Sequence, residues 1–394
     1  MIPNYYEFQN SSKIISGEFS LESIPKELEM LNSKSVLLIS DKTLNNIGTV
    51  QTVIDAMYGS NIQIKGKYVD APADSSIEII NDIVELYKDL NCDSLLAIGG
   101  GTVIDTAKGV RKTLSQNKEN IMELAGCEVM TYGNHIPFVA VPTTSGTGSE
   151  ATLVAVILDK IKNIKQEFIS YFLVPDVAIL DARMTISLPP KITASTGMDA
   201  LCHSIESYSC LQKNPLSDAY SISAIELIRD NLINSVIDGK DKKIRLAMAN
   251  ASLMAGISFS NSMVGLVHAI GHALGGVCHV PHGEAMAILM PHVFRFNKDK
   301  LNKEYSKLLL YIAGPEVYVN TPEDERAEKM IECVEELLDK LNKLTGLPMR
   351  LKDEKVNRED FASIARTALN DGAIIVNPKE AEFNDIIDIL DKAY

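Results

Sequence analysis

Short apolar runs alternate with segments of helical periodicity through the first half of the chain. Ser35–Ser40, Ser94–Ile98, Phe138–Val141 and Val177–Leu180 read as strands. A strand with no polar face is buried on both sides, so these runs predict a parallel sheet covered on two faces. Between them, Ser76–Leu90 sets Ile77, Ile80, Val84, Leu86 and Tyr87 at helical spacing, and Val103–Leu114 is read as a helix too. Pro189-Pro190 ends the alternation. Beyond it the signals are almost all helical: Thr196–Tyr208, Ser217–Ile237, Ile244–Ile257 and Ala327–Leu344 carry apolar stripes, with Asp218 and Thr321–Asp324 read as helix starts. The expected fold class is an α/β N-terminal domain with a parallel sheet, residues 1–189, plus an all-α C-terminal domain, residues 190–394.

Two loops in the first half sit where a sheet of this kind binds ligands. Gly99-Gly100-Gly101-Thr102 joins a strand to a helix. Glycines there let the backbone approach a pyrophosphate, and the following helix offers unpaired N–H groups and a positive dipole end. Asp41 directly follows the first strand, where a carboxylate accepts from ribose hydroxyls and repels a 2′-phosphate; for this residue alone a solvated turn residue or the N-cap of a following helix is the more common reading. The hydroxyl-rich run Pro142–Glu150 follows another strand and repeats the arrangement.

The second half concentrates imidazoles. Four of the seven histidines, His268, His272, His279 and His282, lie between Val267 and Gly283. His268 and His272 share one helix face, and Gly275-Gly276 is expected to end that helix, bringing His282 back on the next loop or helix start. Upstream, Asp199 and His203 are again four residues apart. One carboxylate and several imidazoles suit Fe(II) or Zn(II). Spacing favours His268 with His272 and leaves His272, His279 and His282 undecided.

Composition narrows the classes. The chain has 394 residues, about two domains' worth, and a formal charge of −14, which disfavours nucleic acid as a partner. No run approaches the roughly 20 apolar residues of a membrane helix. The N-terminus has no secretory pattern, so a cytoplasmic protein is expected. Six scattered cysteines predict reduced, buried thiols and no disulfide frame.

Taken together, Gly99–Thr102 with Asp105, Pro142–Glu150, Gly197–His203 and His268–Gly283 make the chain resemble the iron-dependent (group III) alcohol dehydrogenases over nearly its whole length. The resemblance implies a Rossmann-like domain and a helical domain in a dehydroquinate synthase-like architecture, with a site in the cleft between them. It implies metal ligands at Asp199, His203, His268 and His282. His272 then lies beside nicotinamide and substrate as a catalytic group, not a ligand. It implies NAD(H) contacts from Asp41, Gly99, Gly100, Gly101, Thr102, Thr143, Thr144, Thr147, Thr152, Lys165 and Leu188. The implied activity is hydride transfer between nicotinamide and a small primary alcohol, diol or aldehyde, with Fe(II), or Zn(II) as the alternative metal. A homodimer or higher homo-oligomer, without nucleic-acid or membrane partners, is expected. Departures are Thr102, where serine is more usual, and Ala71-Pro72, where many relatives have Asn-Pro. The rivals are a glycerol-type polyol dehydrogenase with zinc, a dehydroquinate synthase-like lyase and a non-catalytic metal- or NAD-binding protein. The absence of Lys and Arg between Val267 and Met290 counts against the lyase.

Overall fold

The computed structural model describes residues 3–72, 75–127, 130–160 and 164–394, apart from the side chains of residues 126, 127, 164 and 165. The chain divides into two compact units. One spans Gln9–Leu188; the other spans Pro189–Tyr394 together with the N-terminal residues up to Phe8. Phe8 joins the second unit by stacking on Tyr220, ring centroids 5.7 Å apart.

The first unit is built on nine strands among the described residues: β1 (Lys13–Ser16), β2 (Ser35–Ile39), β3 (Gln63–Tyr68), β4 (Ser94–Gly99), β5 (Gly126–Cys127), β6 (Phe138–Pro142), β7 (Val154–Asp159), β8 (Ile164–Ile169) and β9 (Val177–Leu180). Six of them form a parallel sheet in the order β1-β9-β6-β4-β2-β3. The pleat explains their sequences. Leu37, Ile39, Leu95, Ala97, Phe138 and Ala140 face one layer of buried side chains, while Val36, Leu38, Leu96, Ile98, Val139 and Val141 face another. Helices α1 (Ile24–Met30), α2 (Lys42–Asn46), α3 (Thr49–Ala56), α4 (Ile77–Asp89) and α5 (Gly101–Ser115) link the strands. Residues of α4 and α5 cover the first layer, and those of α1 and α3 the second. Strands β5, β8 and β7 make a second, small sheet in that order, β7 and β8 antiparallel. The apolar-run argument does not find it: β7 alternates half-buried and buried residues instead of running apolar throughout.

The strand order reverses between β2 and β4, since the chain steps from β2 out to β3 and then returns past β2 to β4. In open α/β sheets ligands bind outside the carboxyl ends of the strands at such a switch point. Asp41 and Gly99–Thr102 lie at those two strand ends.

The second unit is helical: α6 (Pro190–Ser209), α7 (Pro215–Ile237), α8 (Lys242–Ser260), α9 (Leu266–Cys278), α10 (His282–Ala313), α11 (Pro315–Asn320), α12 (Arg326–Thr345), α13 (Phe361–Ala368) and α14 (Phe383–Ala393). One continuous buried cluster joins α6 to α10 and α12 to α14. Helix α6 begins at Pro190, six residues before the start read from its stripe, because proline is favoured in the first helical turn. The read start at Asp218 moves to Asn214, whose side chain caps α7 at the N–H groups of Leu216 and Ser217. The start read at Thr321–Asp324 moves to Arg326. Gly275-Gly276 does not end α9, which runs to Cys278; His279 takes the left-handed conformation (φ 58°) that closes it. None of the described helices is long and apolar enough to cross a membrane.

Candidate functional site

Four side chains of the helical unit converge. Asp199 and His203 lie one turn apart on α6, His268 sits in the first turn of α9, and His282 opens α10 after the reversal at His279. One ligand atom from each lies within 4.8 Å of all the others. Around Asp199 Oδ1, His282 Nε2 stands at 3.3 Å, His203 Nδ1 at 3.8 Å and His268 Nε2 at 3.9 Å. Donors held by one Fe(II) or Zn(II) at about 2.1 Å stand roughly 3–3.5 Å apart, so the four need only small adjustments to share an ion.

Whether they fit a cation is answered by their unmet hydrogen bonds. Asp199 Oδ1, His203 Nδ1 and His268 Nε2 are all buried without a hydrogen-bond partner. Buried polar atoms are nearly always satisfied, and three orphans facing one point is the arrangement a metal completes. Burial holds His203 down at about 3 and His268 well below the usual imidazole range, which keeps both rings neutral, as ligands must be. Burial works to raise the Asp199 carboxyl, but the three imidazoles outweigh it and hold it below the usual range.

His272 lies on the same face of α9 as His268 yet stays outside this group. Its ring centroid is 5.8 Å from that of His268 and 5.5 Å from that of His282. Its Nδ1 is 2.8 Å from Asp371 Oδ2. Burial would raise the Asp371 carboxyl, but the contact with His272 keeps it below the ordinary range. His279 is exposed at the end of α9 and takes no part. The structure thus separates His272, His279 and His282, which spacing alone left open.

In the first unit, Gly100 caps α5 and Gly101 and Thr102 form its first turn. A methyl group on Gly99 would come within 2.5 Å of Val103 Cβ, and one on Gly101 within 2.8 Å of Thr147 Cγ2. Glycine is therefore needed for strand, helix and hydroxyl loop to close on one another. Thr143 N–H donates to Gly99 O at 3.0 Å, and Thr144 is the side chain nearest Gly100. Asp41 Oδ1 accepts from Leu44 N–H at 2.9 Å, so this carboxylate is an N-cap at the switch point. Leu188 closes a turn by donating to Thr185 O at 3.1 Å. The Lys165 side chain lies outside the described residues.

Three residues that matter here escaped the sequence reading. Lys108, wholly buried on α5, donates to Thr152 Oγ1 at 2.8 Å and to Val154 O at 2.7 Å. Asp105 accepts from Ser149 Oγ at 2.6 Å and from Val156 N–H at 3.0 Å. Lys108 and Asp105 together pin the hydroxyl loop and β7 to α5. Burial brings Lys108 down to about 8 and lifts Glu150 to about 7. The other two are Asp371, behind His272, and Glu206, whose carboxyl burial pushes up to about 7 while backbone N–H groups of Gly265 and Val267 pull it back. Glu206 follows Asp199 and His203 at positions i+7 and i+3 of one helix stripe, a signal present in the sequence. Of the cysteines, Cys92, Cys202, Cys210, Cys278 and Cys333 are free thiols, the first three buried.

The comparisons with known proteins bear on the family and the fold. Residues 11–182 match the family model of iron-containing alcohol dehydrogenase, and residues 193–394 match the C-terminal model of the Fe-containing alcohol dehydrogenase family. The chain is 33% identical over 381 residues to an NAD-dependent methanol dehydrogenase of Bacillus methanolicus, covering 96% of this chain and 97% of that one. It is 33% identical over 380 residues to a lactaldehyde reductase of Escherichia coli K12, with 96% and 97% covered. A crystal structure of 1,3-propanediol oxidoreductase superposes with a TM-score of 0.94 at 30% identity, covering 99% of this chain and all of that one (100%). The chain therefore belongs to the iron-containing alcohol dehydrogenase family.

Proposed function

We propose that this chain is a metal-dependent NAD(H) alcohol dehydrogenase and aldehyde reductase acting on a small primary alcohol, diol or aldehyde. The observation that carries the reading is the convergence of Asp199, His203, His268 and His282 with three buried, partnerless donor atoms. Fe(II) is the proposed occupant, with Zn(II) as its competitor for the same donors. When bound, the cation supplies Lewis acidity to the substrate oxygen and the nicotinamide gives or takes the hydride.

The residues divide the remaining work. Asp199 brings one negative charge and the three imidazoles none, which leaves the bound ion net positive and attractive to an alkoxide or carbonyl oxygen. His272, oriented by Asp371, passes to solvent the proton that the alcohol hydroxyl loses on oxidation, and returns one on reduction. In the other unit, Gly99–Thr102 receive the pyrophosphate at the start of α5, and Thr143, Thr144 and Thr147 line the cofactor. Thr152 supports that loop through Lys108. Lys165 and Leu188 complete the proposed cofactor contacts. The reading includes a cytoplasmic homo-oligomer, and the charge of −14 supports the exclusion of nucleic acid.

Two substitutions probe the cofactor side. Asp41→Gly removes the carboxylate that repels a 2′-phosphate, at a capping cost of only a few tenths of a kcal/mol since glycine is itself a fair N-cap. The kcat/KM preference for NADH over NADPH is expected to fall by roughly tenfold, the effect of about 1.4 kcal/mol of lost repulsion. An unchanged preference removes Asp41 from the ribose site. Gly101→Ala places a methyl group 2.8 Å from Thr147 Cγ2. Titration of NADH fluorescence is expected to show affinity weakened by about tenfold with the metal content unaltered.

The activity itself is tested by NADH oxidation with a panel of short aldehydes, run without oxygen with Fe(II), Zn(II) or a chelator. Steady turnover with short aldehydes and Fe(II) supports the reading. Preference for glycerol with zinc points to a polyol dehydrogenase, and no turnover on any substrate points to a protein that only binds.

A further inference from the structure

Glu206 is a wholly buried carboxylate that neither the ligand set nor the proton path uses. Its Oε1 accepts from Val267 N–H at 2.7 Å, and its Oε2 from Gly265 N–H at 3.0 Å. Gly265 is the cap of α9 and Val267 the second residue of its first turn, so a side chain of α6 terminates the helix that carries His268 and His272. The same Oε2 lies 2.6 Å from His268 Nδ1.

That last contact fixes the proton. Each oxygen of Glu206 already accepts a backbone N–H, which favours the ionised acceptor against the acid form that burial favours, so Nδ1 is the nitrogen of His268 that donates in this contact. The lone pair of the neutral ring then sits on Nε2, the partnerless atom facing Asp199. Cys202, Glu206 and His268 are also close enough to be considered as a separate cation site. The separation of 2.6 Å between Oε2 and Nδ1 argues otherwise. It is the length of a charge-assisted hydrogen bond, and shorter than the roughly 3 Å between two donors on one ion.

We propose that Glu206 is the positioning residue of the metal centre: it docks the start of α9 on α6 and holds His268 in its Nδ1–H form, so that Nε2 is presented to the cation. The proposal rests on the metal-site reading above. Its added content is that a residue outside the ligand set selects the ligating atom and raises its basicity through the hydrogen bond.

Glu206→Gln separates this from simple helix capping. The amide NH2 must face either Val267 N–H or the Gly265 N–H and His268 Nδ1 pair, so one backbone acceptor is lost in either orientation, and in the second His268 is driven towards the Nε2–H tautomer that has no lone pair for the ion. Asn377→Ala is the control. Asn377 Oδ1 accepts from Leu266 N–H at 3.2 Å, in the same turn of α9, through a bond that does not involve His268. Co(II) affinity is measured without oxygen by competition with a chromophoric chelator, alongside the visible spectrum of bound Co(II) and the thermal midpoint of the apo chain. The native chain is expected to bind one Co(II). Glu206→Gln is expected to bind it about 10–100-fold more weakly with an altered spectrum. Asn377→Ala is expected to melt earlier and keep native affinity. Native affinity in Glu206→Gln, or equal weakening in both variants, overturns the proposal. A native chain that binds no Co(II) overturns the metal-site reading instead. Should Glu206→Gln not fold, NMR of the native Co(II) chain decides: a paramagnetically shifted imidazole N–H that survives for hours in D2O is expected, and its absence overturns the proposal.

Discussion

Asp199→Asn is expected to abolish retention of the divalent cation and to lower kcat/KM for aldehyde reduction by at least about 10³-fold, the equivalent of some 4 kcal/mol of Lewis-acid stabilisation. The variant is nearly isosteric, so packing is preserved. What disappears is the single negative charge among the four converging side chains. The thermal midpoint of the apo chain separates this loss from unfolding. In the apo chain the contacts with His203, His282 and His268 hold the Asp199 carboxyl below the usual range against burial, so its neutral replacement is expected to lower the apo midpoint only modestly. A variant that melts much earlier, or one that keeps both metal and turnover, contradicts the role given to Asp199.

His272→Ala is expected to behave in the opposite way. Metal content and Co(II) affinity stay native, while kcat falls by about 10²-fold, the usual contribution of one positioned proton carrier. The reasoning is geometric. His272 lies beside the rings of His268 and His282 but is turned to Asp371, at 2.8 Å. Its removal therefore takes away a proton path and no ligand. Imidazole added to the solution is expected to restore part of the rate. Loss of the ion in this variant makes His272 a ligand and overturns the division of roles.

Much of the fold was legible because burial on both faces leaves a strand no polar position. β2, β4, β6 and β9 are buried along their whole length, and each was found from its apolar run. β1 and β3 are the edges of the same sheet and are largely exposed, with lysine and glutamine among their residues, so nothing in their composition announces a strand. They are defined by their pairing with β9 and β2, and only the folded chain supplies it.

The site divides in the same way. Pairs four apart on a helix, Asp199 with His203 and His268 with His272, were visible as pairs. Which imidazoles converge on Asp199 depends on residues far along the chain. Asp371, 99 residues beyond His272, turns that ring aside. His279, not a glycine, closes α9 and sends the chain back so that His282 comes within 3.3 Å of Asp199. Helix spacing contains neither fact. The resemblance to a family points to four side chains, and the orphaned atoms of three of them give that expectation physical support.

The most direct test follows iron and turnover in one sample. The purified chain is loaded with Fe(II) in the absence of oxygen, freed of excess, and assayed for iron content and NADH oxidation with a short aldehyde before and after chelation. One iron per chain, turnover that declines in step with iron removal, and recovery when Fe(II) is returned are expected. A stripped chain that turns over at the loaded rate, or a loaded chain that retains no ion, contradicts the metal-site reading.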